Sequence, residues 1–115
     1  MNWDRYIDIA KSLHALGTEE AKRSCISRAY YALYNQARTK AAITGFENSD
    51  SSHSKVWEAL NKLGGDARKI SNVGAMLKKQ RKWADYDETY PENLDLQSRA
   101  AIQLAVNAID GLKSL

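Results

Sequence analysis

Residues 19–43 constrain the fold most, because they contain neither glycine nor proline over roughly seven helical turns. At 1.5 Å per residue this stretch predicts a helix about 38 Å long that ends before Gly45. Its apolar side chains form two stripes. The first, of mostly small residues, comprises Cys25, Ala29, Ala32, Leu33, Ala37 and Ala41; the second comprises Ile26, Tyr30 and Tyr34. A helix with two apolar faces is typical of the centre of a bundle, or of a position between a bundle and a partner.

The rest of the chain shows helical periodicity with clear start and stop residues. A first helix is predicted to end at Gly17, and Thr18 caps the second. A polar loop covers residues 46–54, and one of residues 50–52 caps a third helix, which ends at Gly64-Gly65. A fourth helix spans about 66–82, and a fifth is capped near Asn93 or Asp95. No stretch alternates in hydrophobicity, so no sheet is expected. The sequence therefore predicts an all-α single domain over residues 1–115, with about five helices.

Composition sets limits on the setting and on the chemistry. No apolar run approaches the roughly 20 residues that cross a membrane, and the N-terminal Met-Asn-Trp-Asp is not an apolar signal region. The single Cys25 has no partner for an internal disulfide and is predicted to be a small buried hydrophobe. We therefore expect a cytoplasmic protein without membrane contact. One cysteine and two scattered histidines form no zinc pattern, so no metal or cofactor is expected.

Three residues invite specific interpretations. His14 lies on the apolar face of the first helix and is predicted to be a packed or capping residue. His53 is predicted to be a polar residue in the first turn of the third helix; the alternative is a site histidine at that N-terminus, where the helix dipole would lower its pKa. Gly74 inside the fourth helix costs about 1 kcal/mol relative to alanine, which predicts close packing against a neighbouring backbone.

Charge changes sign abruptly in residues 78–88. Seven basic residues stand against one aspartate between positions 62 and 82, whereas positions 83–95 hold five acidic residues and no basic one. Cations suit the last turn of a helix, so the fourth helix is predicted to end with the basic half and to leave the acidic half in the following loop. A basic surface interleaved with Trp83 and Tyr86 is a plausible contact for a polyanion. A solvated helix end is the alternative.

Two segments resemble the signature of HEPN (higher eukaryotes and prokaryotes nucleotide-binding) domains. One is Ser27-Arg-Ala-Tyr-Tyr-Ala-Leu-Tyr34 on the long helix, and the other is Arg81-Lys-Trp-Ala-Asp-Tyr-Asp87. The resemblance covers nearly the whole chain and points to the small stand-alone prokaryotic branch. It implies an up-and-down four-helix bundle with a short additional helix, which commonly forms a homodimer.

The resemblance also raises the question of catalysis. Active members carry an arginine, four to six residues and then a histidine, and cleave RNA without a metal across a dimer axis. Arg81 matches the arginine, but Tyr86 stands where histidine would, and no histidine falls in the window. A tyrosine of pKa about 10 is a poor general base at neutral pH, although it can still stack on a base or donate a hydrogen bond.

Three functions follow from this interpretation. The first is a homodimeric module that binds RNA or a nucleotide, or a nucleotidyltransferase partner, in a toxin–antitoxin or phage-defence setting. Its predicted contacts are Arg28, Tyr31, Lys78, Arg81, Lys82 and Tyr86, and by resemblance Tyr86 or Tyr90 would accept a silencing nucleotide. The second is a metal-independent endoribonuclease in which Arg81 is essential and Asp85, Tyr86 or His53 assists. The third is a non-catalytic structural subunit in which Arg81 pairs with Asp85 or Asp87.

Overall fold

The computed structural model describes residues 1–41 and 50–115, and within these ranges the regular structure is entirely helical. Five helices follow one another along the chain: α1 (Asp4–Leu16), α2 (Glu19–Lys40), α3 (Asp50–Leu63), α4 (Gly65–Tyr86) and α5 (Leu94–Lys113). The prediction of an all-α chain with about five helices is confirmed. None of these helices is long and apolar enough to cross a bilayer.

Side-chain contacts give the direction of each helix. At the start of α1, Asp4 accepts hydrogen bonds from Gln36 and Lys113, near the ends of α2 and α5, so α1 runs antiparallel to both. Ser27, early in α2, contacts Asp85 at the end of α4, so these two helices are also antiparallel. The helices α1, α2, α4 and α5 thus form an up-and-down bundle, and α3 is the additional helix, packed against α2 and α4.

The α2 helix is central, as its two apolar stripes predicted, because it packs against every other helix. Both α2 and the parallel helix α5 bury small residues, which allow packed helices to approach closely, and Cys25 Sγ lies 3.5 Å from the backbone oxygen of Ser98 on α5. The small buried residues are Cys25, Ala29, Ala32 and Ala37 on α2, and Ala101, Ala105 and Ala108 on α5. Cys25 is completely buried, as predicted, and burial raises the pKa of its thiol to about 11.

Most of the predicted helix limits hold. Gly17 ends α1 in a left-handed conformation, the Thr18 side chain caps α2 by accepting from Ala21 N, and the Asn93 side chain caps α5 by accepting from Leu96 N. The two limits on either side of residues 42–49 were wrong. The α2 helix ends at Lys40 and not near position 43, which lies outside the described residues together with 46–49 of the predicted loop. The α3 helix begins at Asp50, so residues 50–54 are helical.

The largest correction concerns the end of α4. The helix continues to Tyr86, so Asp85 and Tyr86 are helical, whereas Asp87, in an extended conformation, and Glu88 lie beyond its end. Its last turn contains no basic residue. The cation that serves this helix end is Arg23 of α2, whose Nη1 and Nη2 donate to the carbonyl oxygens of residues 83, 84, 87 and 88. A cation from another helix thus replaces the basic last turn that the sequence suggested.

Gly74 on α4 is required by an aromatic ring and not by a neighbouring backbone, so that prediction was wrong in its detail. A Cβ at this position would lie 2.4 Å from Trp57 Cζ3 and 2.5 Å from two further ring carbons. The indole of Trp57 is buried between α3 and α4, with its backbone oxygen bound by Ser71 Oγ at 2.7 Å. The ring therefore has little room to move aside.

We predict that Gly74→Ala lowers the free energy of unfolding by about 1–3 kcal/mol, although alanine is the better helix former, because the added methyl overpacks the Trp57 contact. Urea denaturation followed by circular dichroism measures this change. Gly111→Ala on α5 is the matched control, since a Cβ there meets the flexible side chain of Ile70, with Cδ1 at 3.1 Å and Cγ1 at 3.5 Å. Equal stability of the two variants would contradict the prediction.

Candidate functional site

The two segments that carry the HEPN resemblance meet in the fold. Arg81 of α4 lies beneath α2, with its Cζ 5.7 Å from the ring centroid of Tyr30 and 5.5 Å from that of Tyr31. Its Nη1 lies 3.3 Å from Asp85 Oδ2, and Ser27 Oγ donates to the same oxygen at 3.4 Å. Residues about 50 positions apart in sequence thus form one cluster around the guanidinium.

Arg81 is almost entirely buried, with 7% of its side chain exposed, yet its surroundings keep it charged. Burial acts to lower the pKa of the guanidinium, but Tyr31 and Asp85 outweigh this effect and raise its pKa above the usual value. The outer side of the cluster is Tyr86, which is 77% exposed and whose ring centroid lies 5.9 Å from Arg81 Cζ. The buried Nε has no hydrogen-bond partner among the described residues.

An imidazole lies just behind this cluster, but it is closed off from solvent. His53 is 1% exposed and stacks on Tyr34, with ring centroids 3.9 Å apart and planes at 12°. Its Nδ1 shares a 2.6 Å hydrogen bond with the hydroxyl of Tyr30, which also accepts from Trp57 Nε1 at 3.4 Å. His53 lies in the first turn of α3, as predicted, but it is a buried core residue. Tyr30 contacts both His53 and Arg81.

One side of the cluster is acidic. Where the start of α2 faces the end of α4, a surface groove of about 480 Å³ is lined by Glu19, Glu20, Arg23, Ser24 and residues 84–88. Five carboxylates border it, and the Arg23 Nε lies 3.3 Å from the Glu19 carboxylate. Phosphate groups are repelled from such a groove. Among the described residues, no three His, Cys, Asp or Glu side chains are placed to hold a metal ion.

The other side of α4 is basic and aromatic. A shallow depression of about 310 Å³ is lined by Ala75, Lys78, Lys79, Lys82 and Trp83. Lys79 Nζ lies 5.0 Å from the ring centroid of Trp83, and Trp83 packs edge-on against Tyr90. The lysines of residues 78–82 thus lie on one face of α4, whereas Asp85, Asp87 and Glu88 border the groove at the end of the helix. We call the depression the lysine face.

The structure brings some of the predicted contacts together and separates others. Tyr31, Arg81, Asp85 and Tyr86 form one cluster, and Arg28 lies one turn before Tyr31 with its Cζ 5.2 Å from the ring of Tyr6. Lys78 and Lys82 belong to the lysine face, and Lys78 Nζ donates to Ser54 Oγ at 3.1 Å.

The remaining predicted residues lie away from solvent or away from the cluster. Tyr90 is 9% exposed and its hydroxyl is bonded to Gln97. Burial and the nearby Glu92 raise the pKa of Tyr90 to about 12. His14 hydrogen-bonds Ser98 Oγ at 2.7 Å between α1 and α5, as expected of a packed histidine.

Sequence reasoning missed the importance of Arg23 and Ser27. Arg23 fixes the backbone at the end of α4, and Ser27 holds the Asp85 carboxylate. Both positions precede Tyr30 and Tyr31 on the α2 surface at helical spacing, at 23, 27, 30 and 31, so one face of α2 presents all four toward α4. That spacing is the signal in the sequence that could have identified them.

Comparison with known proteins adds no relative, since no family model, no curated protein and no solved structure matches this chain. The likeness to HEPN domains therefore rests on residues 27–34 and 81–87.

We predict that Tyr30→Phe destabilises the fold by about 1–3 kcal/mol, because it removes a buried partner of His53 and of Trp57 Nε1. Tyr34→Phe is the control. It deletes the hydroxyl from the other tyrosine stacked on His53 and keeps the stacked ring, whose centroid lies 3.9 Å from that of the imidazole. Chemical denaturation of both variants measures the difference, and a neutral Tyr30→Phe would show that the buried network contributes nothing.

Proposed function

We propose that this chain is a homodimeric, HEPN-type module that binds RNA or a nucleotide in a toxin–antitoxin or phage-defence setting. The observation that supports it most directly is the convergence of the two HEPN-like segments on Arg81. A guanidinium that stays charged under Tyr31 and Tyr86 offers a phosphate a fork of donors, and Tyr86 offers a base an exposed ring. The dimer is taken from the resemblance.

The lysine face supports the part of the proposal that concerns RNA binding. Three lysines around Trp83 combine phosphate attraction with an aromatic surface, which is the combination found in sites for single-stranded nucleic acids. The acidic groove on the opposite side restricts the approach of a polyanion to this face. We infer that RNA runs along the lysine face and reaches the Arg81 cluster at its end.

Binding fits the site better than cleavage does. General base catalysis requires a group with a pKa near neutrality within reach of the 2′-hydroxyl. His53 is sealed beneath Tyr30 and Tyr34, and His14 lies between α1 and α5. Tyr86 and Asp85 are the groups that border Arg81 on its outer side, and a tyrosine is a weak base at neutral pH.

A nucleotidyltransferase partner remains part of the proposal, with Tyr86 as its target. Of the two tyrosines that the resemblance suggests for modification, Tyr86 is 77% exposed, whereas the hydroxyl of Tyr90 is bonded to Gln97. A nucleotide on Tyr86 would place its phosphate beside the acidic groove and its bulk over Arg81. Such a group would obstruct RNA at the cluster.

A second candidate function is that of a structural subunit, and the Arg81–Asp85 ion pair favours it. Both partners are on one helix four residues apart, and the guanidinium is 7% exposed. An arginine in this position can act solely to neutralise a polar cluster between α2 and α4. The two functions differ in what a change at Arg81 would do to binding.

We predict that Lys79→Ala/Lys82→Ala weakens binding of a short fluorescein-labelled oligouridylate by about tenfold, because two phosphate contacts are lost. The slope of log K against log salt concentration should become shallower by about 0.7 for each lost contact. Fluorescence anisotropy at several salt concentrations in EDTA gives the affinity and the slope. Lys11→Ala/Lys62→Ala removes two exposed lysines from other helices and should change neither. Equal losses in both double variants would exclude the lysine face as the binding surface.

We also predict that Arg81→Lys, which keeps the charge but not the fork, lowers RNA affinity about fivefold. The melting temperature is measured on the same samples. Full affinity together with a lowered melting temperature would support the structural subunit.

Gel analysis of the RNA after incubation with the protein in EDTA should show that the RNA is intact. Cleavage that disappears in the Arg81 variant would establish the endoribonuclease instead.

A further inference from the structure

We propose that the Asp85 carboxylate is an internal competitor for the Arg81 guanidinium, which a phosphate must displace before Arg81 can bind RNA. This inference rests on the proposed function and concerns the regulation of the same site. It would make the described arrangement a closed state, in which an acidic side chain of the protein itself occupies the donor fork.

The first argument is chemical. A carboxylate and a phosphate present similarly spaced oxygens to a guanidinium, so a side chain that occupies one donor excludes the other anion from it. Asp85 Oδ2 lies 3.3 Å from Arg81 Nη1. Because Asp85 is four residues after Arg81 on the same helix, it is always present at high local concentration and needs no partner to be bound.

The second argument concerns how firmly each group is held. Arg81 is 7% exposed and enclosed by the rings of Tyr30, Tyr31 and Tyr86. Asp85 is 30% exposed, and its second hydrogen bond, from Ser27 Oγ, is long at 3.4 Å. The carboxylate can therefore rotate toward solvent while the guanidinium stays in place.

The third argument is the incomplete hydrogen bonding of the closed state. The buried Arg81 Nε lacks a partner among the described residues, although an unsatisfied buried donor is costly. A phosphate carries more acceptor oxygens than one carboxylate and satisfies the fork more completely. The exchange of Asp85 for phosphate therefore has a physical driving force beyond long-range attraction.

The fourth argument limits the motion to side chains. Arg23 holds the carbonyl oxygens of residues 83, 84, 87 and 88, which flank Asp85 and Tyr86 on both sides. The helix end is therefore fixed while these two side chains remain free to turn. Opening of the site requires rotation of Asp85 and of the exposed Tyr86 ring, and no unwinding of α4.

The test is Asp85→Asn, which keeps the shape of the side chain and removes its charge. We expect it to bind the labelled oligouridylate about fivefold more tightly than the unmodified protein, a factor in keeping with the loss of one partly exposed ion pair. Asp87→Asn is the matched control, because it removes the same charge from the same groove two residues away. It should change the affinity by less than about twofold. Ser27→Ala, which loosens the carboxylate without changing charge, should give a smaller gain than Asp85→Asn.

A second readout does not depend on RNA. Phenylglyoxal modifies accessible arginines, and mass spectrometry of peptides measures the rate at each one. We expect Arg81 to be protected in the unmodified protein and in Asp87→Asn, and to react several times faster in Asp85→Asn, while the exposed Arg28 reacts equally in all three. Circular dichroism confirms that each variant is folded.

Two affinity results would overturn the inference and leave the proposed function standing. One is an equal gain in affinity for Asp85→Asn and Asp87→Asn. The other is a gain from Asp85→Asn that is just as large when it is added to Arg81→Lys as when it is added to the unmodified protein. Absence of RNA binding in every variant, together with increased reactivity of Arg81 in Asp85→Asn, would overturn the proposed function but support the occupation of the Arg81 guanidinium by Asp85. Unchanged reactivity of Arg81 would overturn the inference itself.

Discussion

The contact between α2 and α4 depends on burying a guanidinium without losing its charge. Removal of a cation from water is expensive, and the cost is met only when other groups take over its solvation. Around Arg81 this role is shared by the faces of Tyr30 and Tyr31 and by the Asp85 carboxylate. The tyrosines must therefore keep their places on α2, and this fixes how the two helices lie against one another.

The same requirement extends into the rest of the bundle. Tyr30 is held by His53 and Trp57 of α3, and Trp57 in turn requires a glycine at position 74 of α4. The packing of α3 is thus coupled to the position of Arg81 through a single tyrosine. On the other side of α2, small residues allow α5 to approach closely, so the central helix is fixed from two sides.

The sequence was informative where structure is determined locally. Gly17, Thr18 and Asn93 act through their own backbone or the next turn, and each was predicted from its residue type. The end of α4 could not be predicted this way, because the cation that stabilises it is Arg23, about 60 positions earlier. The burial of His53 could not be predicted for the same reason, because it is created by Tyr30 and Tyr34 of another helix.

The candidate site shows the same division between local and tertiary information. The HEPN-like segments identified Arg81, Asp85 and Tyr86, and the helix periodicity alone places Asp85 within reach of Arg81. The change of sign along residues 78–88 suggested a boundary between a helix and a loop. That boundary lies between Tyr86 and Asp87, later than predicted, and because 3.6 residues make a turn, Asp85 lies in the acidic groove and not with the lysines of the lysine face.

The relation between Arg81 and His53 bears directly on the difference between binding and cleavage. Both side chains contact Tyr30, so an arginine and an imidazole lie within one tyrosine of each other. A histidine that accepts and returns a proton must reach the reacting hydroxyl, directly or through one water. Here the imidazole is 1% exposed, and its Nδ1 is bonded to the hydroxyl of Tyr30, whose pKa is raised far above its usual value by burial. The burial of the imidazole, and not its absence from the fold, therefore supports the proposed binding of RNA over the alternative of cleavage.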